Sequence, residues 1–137
     1  MSTRRAFLQS SLIAAGAAML PRAQADAGAG AARVVSTWDF GVPANRAAWE
    51  VLGAGGSALD AVEAGARWAE TGQCNSTDGH CGYPDRDGFV TLDASIMQGD
   101  GSCGAVAALQ DIEHPVSVAR RVMERTPHVL LVGDGAR

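Results

Sequence analysis

The apolar positions change their spacing several times along the chain, and each change marks an element. Residues 33–38 (RVVSTW) are β-branched and aromatic, are bounded by Asp39 and Gly41, and predict a strand. Beyond them Ala47, Ala48, Val51 and Leu52 share one side of a 3.6-residue repeat. That predicts a helix with Pro43 in its first turn, ended by Gly53, Gly55 and Gly56. Ser57 is placed to cap a second helix, with Asp60 three residues on in capping-box spacing. Leu59, Val62, Ala66 and Ala69 recur at three- and four-residue steps and predict one buried stripe. The two helices would form a hairpin. Residues 71–88 are polar and Gly-rich and read as a long loop, a class of segment that often carries function.

Residues 89–97 fit a strand, Gly99-Asp100-Gly101 a turn, and residues 103–109 a returning strand paired with the first. Pro115 opens a helix through Arg125, with Val116, Ala119, Val122 and Met123 inward and Pro127 ending it. Residues 128–132 read as a short buried strand, stopped by Gly133-Asp134-Gly135. This order predicts an α+β fold with antiparallel pairing, not a run of βαβ units.

Composition narrows the classes. The 137 residues suit one domain, and with only 5% aromatics its core must be built mainly from Ala, Val, Leu and Ile. Every basic residue is Arg, and three of them (Arg4, Arg5 and Arg22) precede the first acid, Asp26. No basic patch follows, so nucleic acid is excluded as a partner.

Residues 1–25 read as an address. Thr3-Arg4-Arg5-Ala6-Phe7-Leu8-Gln9 resembles the twin-arginine export motif, and a weakly apolar run from Ser11 to Leu20 is too short to span a bilayer. Ala23-Gln24-Ala25 offers a small-residue cleavage site. The expectation is a twin-arginine signal over 1–25, a flexible leader over 26–32, a folded part over 33–137, and a periplasmic or secreted destination.

Several segments in succession are similar to the glycosylasparaginase branch of the asparaginase family of N-terminal-nucleophile hydrolases. Among them are Ser36-Thr37-Trp38-Asp39-Phe40, Gly55-Gly56-Ser57-Ala58-Leu59-Asp60-Ala61-Val62-Glu63, Thr91-Leu92-Asp93-Ala94 and His128-Val129-Leu130-Leu131-Val132-Gly133-Asp134-Gly135. The resemblance implies the N-terminal, incomplete part of a four-layer αββα sandwich. It implies a precursor that cuts itself before a Thr, whose oxygen then attacks the side-chain amide of glycosylated asparagine and forms an aspartyl ester. No cofactor is implied. The partners implied are the C-terminal part carrying the nucleophile, a second processed copy in a homodimer, and a small asparagine-derived substrate. The Thr residues here are Thr3, Thr37, Thr71, Thr77, Thr91 and Thr126, and none follows Asp or Gly. The nucleophile is therefore expected beyond Arg137, and this chain alone is expected to be inactive.

On the resemblance, Trp38 matches a tryptophan that lies against substrate, a wall for a small ligand instead of a core residue. Thr77, Asp78, Gly79 and Gly82 match the autoprocessing loop. Asp78 stands where the family has an apolar residue, and Cys81 where it has Gly. Cys74 aligns with a family cysteine whose partner position is Ala69 here. A Cys74–Cys81 bridge would span the loop instead, which geometry decides. Cys74, Asp78, His80 and Cys81 lack C-x-x-C spacing, so no metal is expected. Cys103 reads as a buried thiol, and His114 and His128 as a helix-start and a strand residue without catalytic partners. Arg120, Arg121 and Arg125 read as the solvated face of the last helix.

Two readings from other classes remain to be tested. Gly99-Asp100-Gly101-Ser102-Cys103-Gly104, with Glu124 twenty residues on, formally satisfies a dinucleotide-binding fingerprint, although a hairpin turn explains it more simply. The other is a non-catalytic exported domain.

Overall fold

The computed structural model describes residues 31–72 and 79–137, which include one compact unit, Arg33–Arg137. The expected signal and most of the expected leader lie outside the described residues.

Helix α1 (Gly41–Gly53) and helix α2 (Ala58–Gly72) pack as the expected hairpin. The α2 start has the reciprocal cap. The Asp60 amide donates to Ser57 Oγ at 3.1 Å, and the Ser57 amide donates to Asp60 Oδ2 at 3.1 Å. The buried stripe differs from the expected one. Ala61 and Gly65 are buried, with Ala44 and Ala48 of α1, whereas Val62 is 55% exposed. Small residues let the two backbones approach closely, and that contact outweighs the larger apolar area Val62 could bury.

Residues 92–97 and 103–109 form the antiparallel hairpin of β1 (Leu92–Met97) and β2 (Cys103–Leu109). Helix α3 spans Pro115–Arg125, and β3 (Leu130–Val132) follows. The sheet order is β1-β2-β3, with β3 parallel to β2. The antiparallel expectation therefore fails for the last strand, because α3 crosses over the sheet between β2 and β3 and returns the chain in the β2 direction.

The core lies between α3 and one sheet face: Ile96, Val106 and Leu109 meet Val116, Ala119 and Val122, with Ala136 closing one side. Gly104 makes this approach feasible, since a Cβ there would sit 2.2 Å from the Ala119 carbonyl oxygen. The opposite face presents Ser95, Met97, Cys103, Ala105, Leu130 and Val132 in register, with Met97 and Val132 more than half exposed. One helical layer on one sheet face, with the other face open, is an α+β arrangement that fits part of an αββα sandwich.

Two further expectations are corrected. Residues 33–38 form no ladder and bend at Thr37 and Trp38, and Val35 is 89% exposed. β-branched composition favours extension, but a strand needs a neighbour, and none among the described residues pairs with this segment. Residues 128–132 shorten to β3, an edge strand whose Leu130 and Val132 are exposed, not buried.

Candidate functional site

Trp38 lies just ahead of α1. The Gly41 amide donates to the Trp38 carbonyl at 2.8 Å, closing the turn into the helix, and Ser36 hydrogen-bonds Asn45 from the same approach. Trp38 is 70% exposed. With Val34, Phe40, Ala44, Ala61, Gly65 and Ala69, Trp38 lines a mostly apolar cleft of about 280 Å³ across the helical hairpin. A planar ring beside such a cleft has the shape to cover a small ligand.

The second sequence-predicted piece is only partly described. Thr77, Asp78 and Cys74 lie outside the described residues. Gly79 opens a short 3₁₀ turn, Gly79–Cys81, and the Gly82 amide donates to the Gly79 carbonyl at 3.0 Å. Gly79 has φ +66°, and a Cβ on it would lie 1.9 Å from the Glu70 carbonyl oxygen, so both conformation and space demand glycine. Gly82 packs towards Val90. Cys81 is in a disulfide, whereas Cys103 is a free, half-buried thiol.

Between the Trp38 cleft and this turn stands a residue the sequence did not single out. Ala69 lines the cleft, and its neighbour Glu70 is buried at 8% exposure. Glu70 Oε1 accepts the Val116 amide at 3.0 Å, and Oε2 lies 3.3 Å from His114 Nδ1. Pro115 has no N–H, so Val116 offers the first free amide of α3, and Glu70 caps that helix from another element. Burial pushes the Glu70 carboxyl above its ordinary value, against the downward pull of the Val116 amide and His114. His114 thus has a carboxylate partner that no local pattern in the sequence announces. His128 lies ahead of β3, exposed, with its amide on Thr126 Oγ1.

Arg120 departs from the expected solvated face. Its side chain is only 21% exposed and reaches Asp60 Oδ1 at 2.7 Å, Glu63 Oε2 at 2.6 Å and Glu124 Oε1 at 2.7 Å. Three carboxylates hold its guanidinium above its ordinary pKa. Ser57 and Arg120 lower Asp60 to about 2. Burial opposes ionisation of Glu63, but the Ser117 hydroxyl and Arg120 outweigh it and leave that carboxyl below its usual value. The network pins α2 to α3 beside a polar cleft of about 420 Å³ lined by Glu63, Arg67, His114 and Ser117. Arg121 and Arg125 are exposed, as expected.

The glycine run 99–104 is the hairpin turn. The Gln98 amide donates to Ser102 and the Gly101 amide to Gln98, and the chain continues into β2 where a dinucleotide site would need a helix N-terminus. That removes the nucleotide reading. Among the described residues no cluster of three or more His, Cys, Asp or Glu is arranged to hold a metal, and no helix is long and apolar enough to cross a membrane.

The sequence pattern of the family described as asparaginase matches residues 11–137. The chain belongs to the asparaginase family. It is 57% identical over 103 residues to N(4)-(Beta-N-acetylglucosaminyl)-L-asparaginase of Elizabethkingia miricola and 53% identical over 104 residues to the Mus musculus protein of that name. Each match covers 75% of this chain and 30% of the relative. An Arabidopsis thaliana protein named "Probable isoaspartyl peptidase/L-asparaginase 3" is 41% identical over 104 residues, covering 75% of this chain and 29% of its own length. The chain thus spans about 30% of the length of the curated relatives it matches. For this asparaginase-family chain, Trp38 and the Gly79 turn are the parts of the expected site that fall within the described residues.

Proposed function

We propose that this chain is the N-terminal part of an amidohydrolase that releases aspartate from glycosylated asparagine. The observation that carries this reading is the identity of 57% and 53% to two proteins named N(4)-(beta-N-acetylglucosaminyl)-L-asparaginase, against 41% to the protein named probable isoaspartyl peptidase/L-asparaginase 3 over a similar span. The proposed chemistry uses a Thr freed by self-cleavage beyond the part of the family seen here. Its α-amine takes the hydroxyl proton as the oxygen attacks the side-chain amide carbon. The C–N bond breaks, the amine leaves with that proton, and water hydrolyses the aspartyl ester, restoring the hydroxyl. Trp38 would cover one side of the substrate, and the loop of Thr77, Asp78, Gly79 and Gly82 would border the cleavage point. The complete protein would act as a homodimer of processed heterodimers.

The second reading, a free-asparagine or isoaspartyl-peptide hydrolase, is favoured by the Arabidopsis relative. Side-by-side assays of the protein expressed from its whole reading frame separate the two. Aspartate release from N-acetylglucosaminyl-asparagine should exceed that from β-aspartyl dipeptides. The reverse order would establish the second reading, and release from neither would sink both.

We also infer export by the twin-arginine route, from Arg4, Arg5 and Ala23-Gln24-Ala25. Replacing both arginines by lysine should leave the protein in the cytoplasm on fractionation; unchanged export would refute the assignment.

A further inference from the structure

Glu70 is unusual in being engaged at both its ends. Its carboxylate accepts the Val116 amide at 3.0 Å and faces His114 Nδ1 at 3.3 Å, so it fixes the start of α3. Its backbone carbonyl lies among the last four of α2, which have no partner further along the helix. Gly79 sits so tightly on that oxygen that any side chain would overlap it. One residue earlier, Ala69 lines the cleft shared with Trp38. The last turn of α2 therefore touches three separate parts of the chain: the Trp38 cleft, the Gly79 turn and the first turn of α3. A buried carboxylate is costly to place, and a Gln or an apolar residue would avoid the charge. Simple packing does not call for this group here.

We propose that Glu70 is a positioning residue, which fixes the Gly79–Cys81 turn relative to α3 and to the Trp38 cleft. The proposal rests on the reading that this turn borders the cleavage and substrate site, because only then does its position matter for chemistry. The side chain sets where the end of α2 sits against α3. The carbonyl carries that setting to Gly79 through a contact with no slack. Glu70 itself touches no reacting atom in this scheme.

The test uses the protein expressed from its whole reading frame, with three variants. Glu70→Ala removes both carboxylate contacts. Glu70→Gln keeps an acceptor for the Val116 amide and offers an N–H to His114. Gly79→Ala disturbs the same junction from the loop side with Glu70 intact. Amide hydrogen exchange and the ¹⁵N signal of the His114 ring report position, and the rate of self-cleavage reports consequence. Glu70→Ala should speed exchange at residues 79–82 and 116–117 together, by about tenfold or more, while Val106 and Ala119 in the core stay protected. Glu70→Gln should restore protection and cleavage, and Gly79→Ala should shift the His114 signal although the two residues are 35 apart in sequence.

If Glu70→Ala proves unfolded, Gly79→Ala and Glu70→Gln decide the matter. A His114 signal unmoved by Gly79→Ala, or cleavage lost in Glu70→Gln with the fold intact, overturns the proposal. Uniform loosening of the core with the loop also overturns it, since that is a purely structural role. If the wild-type protein does not cleave itself, the functional reading fails. Paired local loosening would then still establish the positioning role, and its absence would refute it.

Discussion

Arg120 shows how far a single residue can depart from its appearance in the sequence. On its own helix it belongs to a basic, polar face, and the sequence reading placed it in solvent. The acids that enclose it, Asp60 and Glu63, come from α2, more than fifty positions earlier, and no local pattern announces that meeting. Arg120→Met should destabilise the unit by about 2 kcal/mol, because Glu63 would be left partly buried without its partner. The pH dependence follows from the signs. Asp60 and Glu63 both ionise more readily when folded, so their contribution is complete above pH 4.5 and is lost as pH falls, for Asp60 from 3.8 through about 2. Acid titration of unfolding should therefore be shallower in Arg120→Met than in wild type; parallel curves would rule the network out as the source. Glu70 has the opposite sign. Its folded carboxyl ionises less readily than the ordinary 4.5, so its contribution falls as pH rises through that value. Glu70→Gln should be relatively more stable at pH 7 than at pH 4, as chemical denaturation at the two pH values would show.

At the scale of elements the sequence was most legible where an element carries its own signals. The limits of α3 follow from Pro115 and Pro127, the start of α2 from Ser57 and Asp60, and the β1–β2 hairpin from its Gly-Asp-Gly turn. It was least legible where an element depends on a neighbour. Residues 33–38 have strand composition without a described partner, and β3 is parallel because of a crossover that no local pattern encodes. Tight approach between elements is likewise invisible until a glycine is seen against its neighbour. Gly104→Ala would force α3 off the sheet and should cost about 3 kcal/mol, read as a lower denaturation midpoint. Leu109→Ala, at a fully buried position in the same core, should cost about 3 kcal/mol by leaving a cavity. Little change for either would mean that α3 does not sit on this face.

The whole unit joins one helix-covered sheet face to one open face. Met97, Leu130 and Val132 are exposed there, and Val35, Trp38 and Phe89 add apolar surface elsewhere. In an αββα sandwich the open face is where a second sheet packs, at about 10 Å. The 137-residue chain expressed alone should accordingly bind a hydrophobic dye strongly or aggregate. A clean, dye-silent monomer on sizing would contradict the partial-sandwich account. The candidate site was legible only through the ordered family segments, not through local pattern. Nothing in sequence spacing distinguishes Trp38 from Trp49 or Trp68 as a ligand wall; its exposure and its place on the cleft emerge only from the fold. The most direct test of the central claim is to express the whole reading frame through and beyond Arg137. The purified product is then followed on denaturing gels and by aspartate release from N-acetylglucosaminyl-asparagine. The account expects the precursor to split into two chains, the second beginning with Thr, and aspartate to appear only after the split. A reading frame that closes without such a Thr, or an uncut chain that releases no aspartate, would contradict it.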